Sequence, residues 1–164
     1  MKEQSSQPDA RKLIQQLAEL LQHGHAHITF NDAVKDIPFE LLGEKPGGLA
    51  YSIWQIVEHI RIAQWDILDF SSNENYKKMK WPEDYWPKEN APESEAAWNE
   101  CIKQINEDQG TFIDLLHAHA GDLFKAIAHG SGQTLLRQAL LIADHNSYHV
   151  GQIIVIRRLL GNWN

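Results

Sequence analysis

Four stretches of the chain set apolar residues on one stripe at helical spacing. The first covers residues 9 to about 27, with Leu13, Leu17, Leu20, Leu21 and Ile28 on the stripe. The second begins near Ser52 and carries Ile53, Ile56, Val57, Ile60, Ala63, Ile67 and Phe70. Ser52 followed by Gln55 has capping-box spacing, in which each side chain satisfies an orphan backbone donor of the first turn. The third starts around Pro92, with Asn90 and Glu93 spaced as cap and partner, and its stripe is Trp98, Ile102, Ile105, Phe112 and Leu116. The fourth runs from Thr134, an N-cap residue, to Leu160, and Gly161 follows where a C-cap glycine is expected.

The intervening stretches lack that pattern. Pro38, Pro46, Gly47 and Gly48 break any long helix over residues 31–50, leaving one short turn at Phe39, Leu41 and Leu42. Residues 71–91 are polar, contain Pro82 and Pro87, and interleave Trp81, Tyr85 and Trp86. A loop that long in a small domain is usually functional or mobile. Its aromatics read more simply as a cap over the bundle's end than as a lid or substrate wall, and Trp54, Trp65 and Trp98 as core or dimer contacts. Residues 121–133 form a connection with one short turn at 123–128. With no strand pattern, repeat or domain boundary, residues 1–164 read as a single all-α domain, a four-helix bundle whose first eight or so residues are disordered.

Composition narrows the function classes. A chain of 164 residues, 43% hydrophobic and 23% charged, is one domain's worth and long enough to bury a core. No apolar run approaches the roughly 20 residues that span a bilayer, and residues 1–10 lack the apolar stretch of a secretory signal. The single cysteine, Cys101, excludes an internal disulfide and suits a reducing compartment, so the expected location is the cytoplasm, with no membrane partner. A formal charge of -7, with small basic clusters at Lys77, Lys78, Lys80 and at Arg157, Arg158, argues against nucleic acid as a partner. Nine histidines and six tryptophans stand out, and the histidines carry the chemistry.

His145 and His149 are four apart on the fourth helix, which stacks two side chains on one face, roughly 6 Å between Cβ atoms. Gln138, Ile142, Gln152, Ile156 and Leu159 share that face, so the pair points into the bundle. On the second helix His59 lies between Ile56 and Ala63, with Asp66 two turns on. Three inward imidazoles from two helices need partners, because an unpaired buried polar group costs on the order of 1–3 kcal/mol. One divalent ion shared by His59, His145 and His149 supplies them all. Other sites are weaker. His23 and His27, with His25 between them, fall at a helix end interrupted by Gly24, and His117, His119 and His129 lie near a helix end and a loop. The His-Glu-x-x-His of a zincin is absent, since the pair reads His145-Asn146-Ser147-Tyr148-His149. The paired Glu-x-x-His of a di-iron bundle is absent too; Asp114-Leu115-Leu116-His117 has no mate.

Ser52-Ile53-Trp54-Gln55-Ile56-Val57-Glu58-His59-Ile60 resembles the second-helix motif of the DinB-like superfamily of metal-binding four-helix bundles. Asp144-His145-Asn146-Ser147-Tyr148-His149-Val150-Gly151-Gln152 resembles its fourth-helix motif, followed by the family-like ending Ile156 to Gly161. The resemblance spans nearly the whole chain. It implies a bundle with long, non-sequential crossover connections, a homodimer, and a zinc- or nickel-type ion on His59, His145 and His149. Characterised members of such a family include thiol S-transferases and a mycothiol-dependent isomerase, and many have no known activity.

Three neutral histidines leave an ion at least one open position, the composition of a catalytic site. Such an ion makes a nucleophile at neutral pH from water or a thiol. The expected function is therefore a metal-dependent enzyme acting on a small-molecule substrate: a transferase using a low-molecular-weight thiol cosubstrate, or a hydrolase. The alternative is a non-catalytic, metal-stabilised binding or stress-response module, favoured if a fourth side chain such as Asp66 closes the site. Gln152 and Asp66 are the expected supporting residues behind the ligands. Glu58, Asp144 and Tyr148 lie off the ligand face.

Overall fold

A computed structural model of the chain describes residues 6–24 and 26–163. Each α-helix after the first starts where a side-chain oxygen takes up an orphan amide. In α1 (Ser6–His23), Ile14 and Leu17 carry the burial, while Leu20 and Ile28, expected on the same stripe, are 40% exposed. The helix ends before His27 because Gly24 turns left-handed at φ +63°, a region that favours glycine. Disorder was expected for the first eight residues; residues 6–8 are instead helical, and the remainder of that expectation lies outside the described residues. A short helix missing from the sequence reading, α2 (Phe30–Val34), follows. Thr29 caps it, accepting from the Asp32 amide at 3.1 Å, and it buries Ala33 and Val34.

The capping box at Ser52 and Gln55 forms as expected and opens α3 (Ile53–Ser72). The next helix, α4 (Glu95–Ala118), starts later than its sequence suggests. Ser94, not Asn90, is the cap, and its hydroxyl accepts from the Ala97 amide at 3.1 Å. The Asn90 carbonyl is engaged elsewhere, accepting from the Ser52 hydroxyl and pinning the loop to the head of α3. Residues 123–128 make the expected short turn, with an isolated bridge between Ala126 and Thr134. Thr134 then caps α5 (Leu135–Leu159), and Gly161 adopts φ +72° just past its end.

The long helices form a four-cornered bundle. Both α1 and α3 pack against α4 and α5, so α1 and α3 occupy opposite corners, as do α4 and α5. The α1–α3 and α4–α5 connections therefore cross the bundle, and only α3 and α4 are consecutive neighbours. Short α2 lies on α5, held there by the buried Arg157 guanidinium, which donates to the Ala33 carbonyl at 2.7 Å.

The core has two apolar halves. One gathers Leu42, Ile53, Ile56, Val57, Ile60, Trp98, Ile105, Val150, Ile153 and Ile156. The other gathers Ile14, Leu17, Ile67, Leu68, Phe112, Leu116, Leu123, Leu135, Ala139 and Ile142. In sequence, the buried polar residues Gln64, Asp66, Asp108 and His149 fall between the segments supplying the two halves, and His59 lies just inside the edge of the first. Gln64 is 1% exposed and donates to the Ile105 carbonyl at 2.6 Å while accepting from Asn146 at 2.8 Å, so this polar layer ties α3 to both α4 and α5. Among the described residues no helix is long and apolar enough to cross a membrane.

Candidate metal centre

His59 comes from the middle of α3, and His145 and His149 from successive turns of α5. Where the two helices face each other, the three rings meet. Ring centroids are 4.9 Å apart for His59 and His145, 4.7 Å for His59 and His149, and 4.5 Å for His145 and His149. One ligand nitrogen from each lies within 4.8 Å of the other two. The Nε2 atoms of His59 and His145 are 3.0 Å apart.

Hydrogen bonds behind the rings set which nitrogen faces inward. His59 Nδ1 lies 2.8 Å from the Tyr85 carbonyl oxygen, which only accepts, so Nδ1 carries the proton and Nε2 keeps its lone pair. Gln152 does the same for His149, its Oε1 2.7 Å from Nδ1. His145 Nδ1 faces Asn146 Oδ1 at a longer 3.4 Å, and the Asn146 amide is oriented by its bond to Gln64. Burial lowers the pKa of His59 to about 4, against the hydrogen bond to Tyr85 and with the neighbouring rings adding to the fall. Burial also lowers His149 to about 4 and pushes His145 down. The rings are thus neutral at pH 7, the form that ligates metal.

The donor set fits a divalent cation. Protons held at Nδ1 turn the Nε2 lone pairs of His59 and His149 toward the cluster, and His145 Nε2 lies 3.0 Å from that of His59, so one cation can serve all three rings. Three imidazole nitrogens within 4.8 Å of one another are close enough to share one divalent ion.

The aromatic loop departs from the sequence expectation. It does not simply cap an end of the bundle; it forms a wall of the histidine site. Trp86 stacks flat on His59, with centroids 3.9 Å apart and planes 5° apart, and its ring also stacks on Tyr51 at 3.9 Å. Trp81 tilts toward His59 at 6.3 Å and is 66% exposed. The aromatic density of residues 81–86 was the available clue; without knowing where the loop docks, it pointed equally to packing. Of the other tryptophans, Trp54 and Trp98 pack together in the core, whereas Trp65 is 44% exposed.

Asp66 shares the His59 face of α3, but its oxygens accept from the Tyr76 hydroxyl at 3.0 Å and the Tyr85 hydroxyl at 2.7 Å, and it does not join the histidine group. It acts on the site through Tyr85, whose hydroxyl it holds and whose carbonyl orients His59. Glu58 turns toward Arg61 and Cys101, away from the cluster. Leu159, expected on the inward face of the last helix, is 58% exposed at the helix end. His27 lies beyond α1 and contacts the Ile28 carbonyl and the Ser147 hydroxyl, at 2.8 and 3.0 Å, while His129 donates to the Phe70 carbonyl. His25 lies outside the described residues. Among the described residues, the only group of three or more potential ligands is His59, His145 and His149.

Fold and site together define an all-helical bundle with crossed connections and a tri-histidine cluster between two facing helices. The chain belongs to the DinB superfamily, whose family model matches residues 22–153. No curated protein and no solved structure matches it.

Proposed function

We propose that this protein is a metal-dependent enzyme in which His59, His145 and His149 hold one divalent ion, of the zinc or nickel type. Its reaction is transfer of a low-molecular-weight thiol to an electrophilic small molecule, with hydrolysis as the related possibility. The observation that carries the reading is the shared tautomer: the Tyr85 carbonyl and Gln152 take the outer protons and leave nitrogen lone pairs facing one another. Among the described residues no fourth histidine, cysteine or carboxylate joins the three, and a three-ligand set with a free position is the composition of catalytic sites.

When bound there, a divalent ion supplies Lewis-acid chemistry, lowering the pKa of a coordinated water to about 7 or favouring the thiolate of a coordinated thiol. The chain's own residues do the remainder. Burial holds the ligands neutral, Tyr85 and Gln152 fix the ring planes, and Trp86 covers one face of His59. Asp66 stays engaged with two tyrosine hydroxyls and leaves the open position free. A homodimer, as in similar bundles, accompanies this reading and is checked by light scattering.

Elemental analysis of purified protein tests the proposal. The expected result is one equivalent of metal in the native protein and none in a His145→Ala/His149→Ala double variant. Metal retained by the variant places the ion elsewhere. A screen of glutathione, bacillithiol and mycothiol with an electrophilic acceptor then tests turnover. Bound metal with silence toward every thiol and toward ester and amide substrates selects the non-catalytic, metal-stabilised module.

A further inference from the structure

Two helical turns from the histidines, residues of α3, α5 and the loops beside them line a cavity of about 480 Å³. Asp66 on α3 and Gln138 on α5 line it, each seven residues from a cluster histidine, which puts it roughly 10 Å from the cluster along the helix axes. Tyr85 belongs to both places: its carbonyl orients His59 and its hydroxyl lies in the cavity wall, bonded to Asp66.

Three donor groups at this cavity, on Lys78, Arg137 and Gln138, have no anionic partner among the described residues. Lys78 and Arg137 line it, and neither forms an ion pair among the described residues. Its one carboxylate, Asp66, is 9% exposed and already accepts from two tyrosine hydroxyls. Gln138 is only 4% exposed, and its Oε1 accepts from Arg137 at 2.9 Å, which turns its amide nitrogen the other way. No acceptor among the described residues meets that nitrogen, yet it is not sealed from solvent. A buried amide with an unused N–H beside two unpaired cations asks for an oxygen-rich anion. Arg137 also sits in the first turn of α5, where a cation opposes the helix dipole and no acidic residue offsets it.

We infer that this cavity binds an oxyanion, a carboxylate or phosphate group, at the far end of a substrate or thiol whose reactive end reaches the histidine cluster. Lys78 and Arg137 supply charge, and the Gln138 amide supplies a directed hydrogen bond. Substrates of this protein are then anionic and at least about 10 Å long between the two ends. Which end reacts rests on the function proposed above; the anion site itself does not, so it is tested without metal.

Inorganic phosphate is titrated into chelator-treated full-length protein while the Gln138 side-chain amide and Arg137 Nε resonances are followed by nitrogen-15 NMR. Saturable shifts at both are expected. A Lys78→Gln/Arg137→Gln variant, changed only at the cavity's exposed cations, weakens binding about tenfold or more. His145→Ala, which removes a proposed metal ligand, leaves it within about twofold. A parallel titration with succinate separates the two sources of the anion, the tighter ligand naming carboxylate or phosphate. No saturable shift at Gln138, shifts spread evenly over surface lysines, or binding lost in His145→Ala but kept in the cation variant each overturns the inference. A protein that carries no metal but passes this test loses the proposed reaction and keeps the anion site.

Discussion

Gln152 offers the sharpest test of how the metal centre is built. Its Oε1 is 2.7 Å from Nδ1 of His149, a ring that is 5% exposed and whose other nitrogen faces the cluster. Gln152→Leu keeps the size of the side chain and removes the acceptor. The Nδ1 proton is left without a partner, a cost of about 1–3 kcal/mol for a buried donor. Part of that cost is avoided in the metal-free protein, where the ring is free to change tautomer; once Nε2 binds an ion, the proton is confined to Nδ1 and the cost is felt in full. The variant is therefore expected to bind zinc about 10- to 100-fold more weakly, equivalent to about 1.4–2.7 kcal/mol, with little change in metal-free stability. Gln152→Glu, a stronger acceptor, is expected to bind at least as tightly as the native protein. Competition against a chromophoric chelator gives the affinities, and thermal unfolding after chelation gives the stability. Native affinity in Gln152→Leu would refute the argument that this bond sets the tautomer. Equal loss in the Leu and Glu variants would show that Gln152 acts by packing alone.

Two further outcomes follow from the polar layer. His59 and His149 fall from an ordinary value of 6.5 to about 4 on folding, chiefly through burial. Below pH 6.5 the unfolded chain gains protons that the folded chain refuses, so stability of the metal-free protein is full above that value and is lost as pH falls toward 4. The loss has a ceiling of about 3 kcal/mol per ring, and less than twice that for the pair because the depression of His59 includes the charge of His149; urea titrations at pH 7.5, 6 and 4.5 measure it, and a flat profile refutes neutral burial. Gln64→Leu removes the link between the Ile105 carbonyl and Asn146, and is expected to cost about 1–3 kcal/mol in chemical denaturation. It should also loosen metal binding, since Asn146 backs His145; unchanged values in both assays would show that Gln64 is a space filler.

Much of this molecule follows from spacing along the chain. Intervals of three and four residues place Ile53, Ile56, Ile60 and Ile67 on one face of a helix, and the same periodicity turns His59, His145 and His149 inward. The caps at Ser52 and Thr134 are local too, each made by a side chain and an amide three residues apart. Such features require only the helix itself, so the sequence determines them.

What the sequence leaves undecided depends on contacts between distant segments. Asn90 reads as a cap until Ser52 claims its carbonyl from 38 residues away. The loop aromatics fit either a cap or a wall until Trp86 settles between His59 and Tyr51. The carbonyl that fixes the His59 tautomer belongs to Tyr85, and a backbone oxygen leaves no trace in residue identity. The unpaired donors of Lys78, Arg137 and Gln138 lie on a loop and a helix far apart in the chain, and only the packing of α3 against α5 brings them to one cavity. Local periodicity decides which way a side chain points; the tertiary fold decides what stands opposite it, because long-range hydrogen bonds and stacking pair segments that carry no record of each other in their spacing.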